Sequence, residues 1–94
     1  VAIRYVELSR NAQKQIRRLP VHITEKLQAW VHAVSLYSLE EVRKTPGYHD
    51  EALKGQRSGQ RSIRLSRGYR AIYIIKKNDS IEFVSVEEVN LHDY

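Results

Sequence analysis

Apolar and polar residues alternate along "IRYVEL" (Ile3–Leu8), a stretch rich in β-forming side chains, and the alternation predicts a strand. Ser9 follows where a helix N-cap belongs, its hydroxyl able to accept from an orphan backbone N–H. "RNAQKQIRRL" then reads as a short basic helix that ends at Pro20. From Val21–Ile23 onward the period changes. Ile23, Leu27, Trp30, Val31 and Val34 recur at helical spacing and form one apolar face, so a second helix completes an αα-hairpin. Trp30 belongs to that face as a core residue rather than as a base-stacking surface. Residues 43–55, "RKTPGYHDEALKG", contain Pro46, Gly47 and Gly55 and read as irregular chain.

Three β segments follow. "QRSIRLS" (Gln60–Ser66) turns through Arg67-Gly68 into "YRAIYIIKK" (Tyr69–Lys77), and Asn78-Asp79 makes a second hairpin turn into "SIEFVSVEEV" (Ser80–Val89). "NLHDY" closes the chain as a tail or a single turn. The order β-α-α-β-β-β predicts an α+β fold in which an antiparallel sheet carries both helices on one face. Ninety-four residues without repeat, linker or low-complexity tract make one domain spanning 1–94.

Charge sharpens this picture. The formal net charge is +5, and it is not spread evenly. Residues 1–53 hold eight Lys and Arg against six Asp and Glu; residues 54–77 hold eight cations and no anion; residues 78–94 hold five anions and no Lys or Arg. Like charges gathered on one segment repel, so the middle of the chain is built to meet an anion: nucleic acid, an acidic protein or an anionic surface. No apolar run is long enough to span a membrane and no apolar leader opens the chain, which therefore reads as cytoplasmic. With no cysteine there is no disulfide or thiolate chemistry, and the four histidines lack zinc-site spacing, so neither a metal nor another cofactor is expected.

The β-hairpin supplies candidate chemistry. Ile63 and Leu65 share one strand face; Ser62, Arg64 and Ser66 share the other. Arg70 lies across the tight turn, so Arg64 and Arg70 converge when the register allows. Two guanidinium groups suit a single phosphate, with planar paired donors that never lose their charge. Lys54, at the end of the preceding loop, adds a third cation. RNA brings its own nucleophile, the 2′-hydroxyl, and a cleaving site then needs a base, a charge stabiliser and an acid. Base and acid candidates form two clusters: "YHDE" (Tyr48–Glu51), and "HDY" (His92–Tyr94) at the chain end. The plainer reading is a solvated strand face with capping carboxylates and a solvated terminal histidine.

"EALKGQRSGQRSIRLSRGYRAIY" followed by "IEFVSVEEVNLHDY" resembles the bacterial type II toxins of the RelE/ParE superfamily, and most closely its HigB, YoeB and RelE branch of mRNA interferases. The "LKG" loop, the "IRLS-GYRAIY" hairpin and the C-terminal His/Asp/Tyr cluster carry the likeness, which extends over nearly the whole chain. The resemblance implies a toxin held by a cognate antitoxin, acting in the ribosomal A site on mRNA. It implies metal-independent endoribonuclease chemistry: 2′-OH attack that leaves a 2′,3′-cyclic phosphate and a 5′-OH. By position it implies Lys54, Arg64 and Arg70 around the phosphate, Glu51 as base, and His92 or Tyr94 as acid, with the base and acid roles open to exchange. Arg57, Arg61, Arg67, Lys76 and Lys77 match no catalytic position and are expected to contact RNA backbone, including ribosomal RNA. Three other readings stay open: a ParE-like poison of DNA gyrase, a basic RNA-binding module without catalysis, and a structural domain that binds an acidic partner.

Overall fold

A computed structural model describes residues 2–91, so His92, Asp93 and Tyr94 lie outside the described residues. The first strand, β1 (Val6–Leu8), leads directly into α1 (Arg10–Ile16). Ser9 caps that helix as its position predicts: its Oγ accepts from the Ala12 N–H at 3.0 Å, and the same hydroxyl donates to the Glu87 carbonyl at 3.1 Å. α1 stops at Ile16, short of Leu19, and the chain tightens through Arg18 N–H to Gln15 O and Leu19 N–H to Ile16 O. Pro20 explains the stop, because a proline ring disfavours helical backbone in the residue before it. Ser9→Ala removes both of these hydroxyl bonds and is expected to lower stability by about 1 kcal/mol. An unchanged urea midpoint in that variant would refute the cap's contribution.

α2 (Val21–Tyr37) buries Ile23, Leu27, Trp30 and Val34, the spacing that one helical face requires. It ends at Ser38, whose φ of 82° breaks the helix and whose Oγ then accepts from the Glu41 N–H to start a one-turn helix, α3 (Leu39–Val42). Helical turns at Pro46–Tyr48 and Gly55–Arg57 flank a two-residue strand, β2 (Glu51–Ala52), inside the segment expected to be irregular. β3 (Arg61–Arg64), β4 (Tyr69–Asn78) and β5 (Ile81–Leu91) complete the sheet. β5 takes in Asn90 and Leu91, which the sequence reading left to a tail; Leu91 pairs with Tyr69.

The sheet order is β1-β5-β4-β3-β2. Three of the four strand pairings are antiparallel as expected, but β1 lies parallel to β5, with Val6 opposite Val84 and Leu8 opposite Val86. The sheet is therefore mixed, which corrects the expectation of a purely antiparallel one. The first and last strands are joined through the whole chain rather than by a hairpin, so no local turn sets their direction.

A bulge sets which side chains meet the helices. Ile72 pairs with Glu88 and Tyr73 with Val86, which leaves Glu87 as an extra residue in β5. The insertion turns both Val86 and Val89 toward the core although they are three apart, and keeps Glu88 and Asn90 on the other face. The core joins the apolar face of α2, Ala12 of α1 and Leu39 and Val42 of α3 to Ile63, Ala71, Tyr73, Val84, Val86 and Val89 of the sheet, with Ile3 and Leu65 beside them. Among the described residues none of α1, α2 and α3 packs on the opposite face of the sheet.

Candidate phosphate site on the open sheet face

Register pairs on the open face fall into two neighbouring rows. One row runs Glu51, Ser62, Ile72, Glu88 from β2 to β5; the next runs Arg64, Arg70, Asn90 from β3 to β5. Arg64 and Arg70 are direct cross-strand partners, so both side chains leave the same face from backbones about 5 Å apart. The turn that joins them is closed by backbone bonds from Leu65 and Ser66 to the Tyr69 carbonyl, and by Ser66 Oγ, which accepts from Gly68 and Tyr69 N–H at 3.3 and 3.2 Å.

These residues border a cavity of about 240 Å³ lined by His49, Glu51, Ser62, Ile63, Arg64, Ser66, Tyr69 and Arg70. Of the candidates drawn from sequence, the cavity unites Glu51, Arg64 and Arg70. It adds His49, which the sequence reading held only within the "YHDE" cluster. His49 sits in left-handed backbone, φ 48°, at the end of the Pro46–Tyr48 turn, and that conformation aims an exposed imidazole at the same space as Glu51. Asp50, between them, points to the other side of the sheet and is buried.

Two like charges placed directly opposite destabilise a sheet, and a neighbouring carboxylate offsets them here. Glu88 accepts from Arg57 Nη1 at 2.9 Å and Nη2 at 3.3 Å, a paired fork. Its carboxyl is held below the ordinary value by that hydrogen bond, then by the charges of Arg57 and Arg70, against an opposing effect of burial. Arg57 also donates to Gln60 Oε1 at 2.8 Å. Its arm thus links the start of β3 to β5, and Ile72, which pairs with Glu88 on that face, is fully buried. Arg70 Nε and Asn90 Oδ1, on cross-strand partners, are buried without a hydrogen-bond partner. An unmatched donor beside an unmatched acceptor is a polar environment that a ligand's oxygen and hydroxyl could complete.

The remaining basic residues disperse. Lys54 is exposed at the start of the Gly55–Arg57 turn and does not line the cavity. Arg57 is committed to Glu88. Arg61 leaves the core face of β3, where its Nε donates to Asp50 Oδ1 at 2.7 Å. Arg67 is exposed in the turn beside Arg64. Lys76 and Lys77 are exposed near the far end of β4, with Lys76 roughly 20 Å along the strand from Arg70. The middle segment's excess charge is thus not one continuous patch: part is neutralised within the fold and part converges on one cavity.

No family model matches the chain, and no curated protein matches it in sequence. Solved structures do match in shape. A YoeB/ParE toxin from Agrobacterium tumefaciens superposes with a TM-score of 0.68 at 17% identity, covering 95% of this chain and 99% of its own. YafQ from E. coli gives 0.71 at 19% identity, over 95% of this chain and 93% of its own. The chain has the RelE/ParE toxin fold. The RelBE2 toxin–antitoxin complex from Mycobacterium tuberculosis has it too, with a TM-score of 0.59 at 22% identity, over 98% of this chain and all of the matched one. The cavity occupies the open sheet face, where the β3–β4 hairpin presents its two arginines beside β2. Among the described residues no helix is long and apolar enough to cross a membrane.

Proposed function

We propose that this protein is the toxin of a type II toxin–antitoxin pair and that it cuts mRNA in the ribosomal A site. The observation that carries the reading is the cross-strand pair Arg64–Arg70, opening with Glu51 and His49 onto one cavity. A phosphodiester seated between the guanidinium groups gains charge as the phosphorane forms, and fixed cations stabilise that charge without reorganising. Glu51 or His49 takes the proton from the 2′-hydroxyl; O2′ bonds to phosphorus; the bond from phosphorus to O5′ breaks. His92 or Tyr94 protonates the departing O5′. The products are a 2′,3′-cyclic phosphate and a 5′-hydroxyl, and no metal is required by this route. Lys54, exposed at the head of the Gly55–Arg57 turn, supplies a third cation to the substrate phosphate, and Arg67 serves contacts to ribosomal RNA. A cognate antitoxin is the expected protein partner; the RelBE2 neighbour is a toxin–antitoxin complex.

The test is induction of the gene followed by mapping of new mRNA 5′ ends. Cuts within translated codons, bearing 5′-hydroxyls and lost when translation initiation is blocked, support the reading. Intact mRNA with trapped gyrase–DNA complexes would replace it with gyrase poisoning, and intact mRNA with RNA binding alone would leave a non-catalytic module.

A further inference from the structure

We infer that Asp50 is a positioning residue: it clamps the segment that carries His49 and Glu51 to the core, so that both neighbours face the phosphate cavity. The inference rests on the nuclease reading for its catalytic consequence but on separate contacts for its geometry.

Asp50 occupies the centre of "HDE", and its side chain is only 1% exposed. Both carboxylate oxygens are used. Oδ1 accepts from Arg61 Nε at 2.7 Å, and Oδ2 accepts from the Tyr73 hydroxyl at 2.5 Å. Arg61 and Tyr73 are cross-strand partners in β3 and β4, so one carboxylate ties the β2 segment to two strands at once. Tyr73 is fully buried, with its ring packed on Trp30 at 5.4 Å, which makes the anchor part of the rigid core. Burial and the hydrogen bond to Asp50 push the Tyr73 phenol up to about 12, against Arg43, so it remains a donor throughout the working range.

The segment needs such an anchor. β2 has two residues and, among the described strands, only β3 as a neighbour, at the sheet edge, and His49 before it holds left-handed backbone. A strand that short has little stability of its own. Asp50 turned inward leaves Glu51 outward, because successive side chains alternate sides of an extended chain, and the left-handed turn at His49 brings the imidazole to the same cavity. A buried carboxylate is retained at a desolvation penalty that only full pairing offsets, and here the pairing fixes two candidate catalytic groups.

The experiment uses the full chain with Tyr73→Phe, which deletes one clamp bond while keeping the ring, and Arg61→Gln, which weakens the other from a more exposed position. Amide hydrogen exchange is followed at Leu53 and His49, whose N–H groups donate to Gln60 and Pro46 carbonyls. Single-turnover cleavage and RNA affinity are measured on the same samples. The clamp predicts at least tenfold faster exchange at Leu53 and His49 with β4–β5 amides unchanged. It also predicts a cleavage rate at saturating RNA at least tenfold lower in both variants, with the Kd for RNA of Tyr73→Phe, which keeps every charge, within threefold of the parent. Unchanged exchange at both amides in a folded variant overturns the clamp, whether or not the protein cuts RNA. Faster exchange with full cleavage overturns the positioning role. A parent protein that cuts no RNA defeats the nuclease reading, and the exchange data still decide the clamp. If Tyr73→Phe does not fold, Arg61→Gln decides alone on amide exchange and on the cleavage rate at saturating RNA.

Discussion

Arg70→Ala is expected to abolish RNA cleavage and growth inhibition while leaving the chain folded. Arg70 faces Arg64 across the hairpin, and its Nε makes no hydrogen bond within the described fold. Its removal therefore breaks no such bond of Nε and relieves a like-charge repulsion, so the urea midpoint should move little. Catalysis should respond differently. One donor to a developing oxyanion is worth about 3–4 kcal/mol in other enzymes, a loss of roughly 10²–10³ in rate, and a guanidinium at the phosphate carries a full charge as well. Arg64→Ala should give a large but smaller loss, since Arg64 is the more exposed of the pair. Glu51→Ala should be partial where His49 takes over the proton, and Glu51→Ala with His49→Ala should approach the Arg70 result. Single-turnover cleavage of ribosome-bound mRNA reads all four variants. Full activity of folded Arg70→Ala would remove the arginine pair from the mechanism.

That pair was legible in the sequence because its geometry is local. Strand alternation puts Arg64 opposite in sense to Ile63 and Leu65, and a short turn brings Arg70 back beside it. The helices were legible for the same reason, from the spacing of Ile23, Leu27, Trp30 and Val34. What was not legible depends on distant partners. The parallel pairing of β1 with β5 joins residues nearly eighty positions apart and leaves no local mark. β2 is too short to show alternation. Arg57 and Arg61 look alike in a basic run, yet one is taken by Glu88 and the other by Asp50, 31 and 11 residues away. The bulge did leave a trace: Val84, Val86 and Val89 break the two-residue period at "EE", as an inserted residue does when all three valines must face one core. His49 had no stronger signal than its neighbours, because its aim comes from a left-handed backbone that a non-glycine residue seldom adopts.

Trp30→Ala is expected to remove a large fraction of the stability of the domain, and Trp30→Phe to change it little. Trp30 is wholly buried, so it presents no surface on which a base could stack. Cutting such a side chain to alanine leaves a cavity that core packing only partly closes, at about 3–5 kcal/mol. A chain of this length is stable by only about 5–14 kcal/mol, so the loss is a large fraction of the total. Trp30 Nε1, however, is buried without a hydrogen-bond partner. An unsatisfied buried N–H costs about 1–3 kcal/mol, and Trp30→Phe removes it while leaving a smaller cavity. The two effects oppose, and the phenylalanine variant should lie within about 1.5 kcal/mol of the parent. Urea titrations decide between these outcomes, with an unchanged slope marking a change in stability rather than in the denatured state. The contrast reaches the site through Tyr73, whose ring rests on Trp30 and whose hydroxyl holds Asp50. In the phenylalanine variant that hydroxyl keeps its acceptor, so cleavage should persist. A Trp30→Phe protein that stays folded but loses cleavage would mean that the indole's shape, beyond its bulk, sets where Tyr73 and the β2 segment stand.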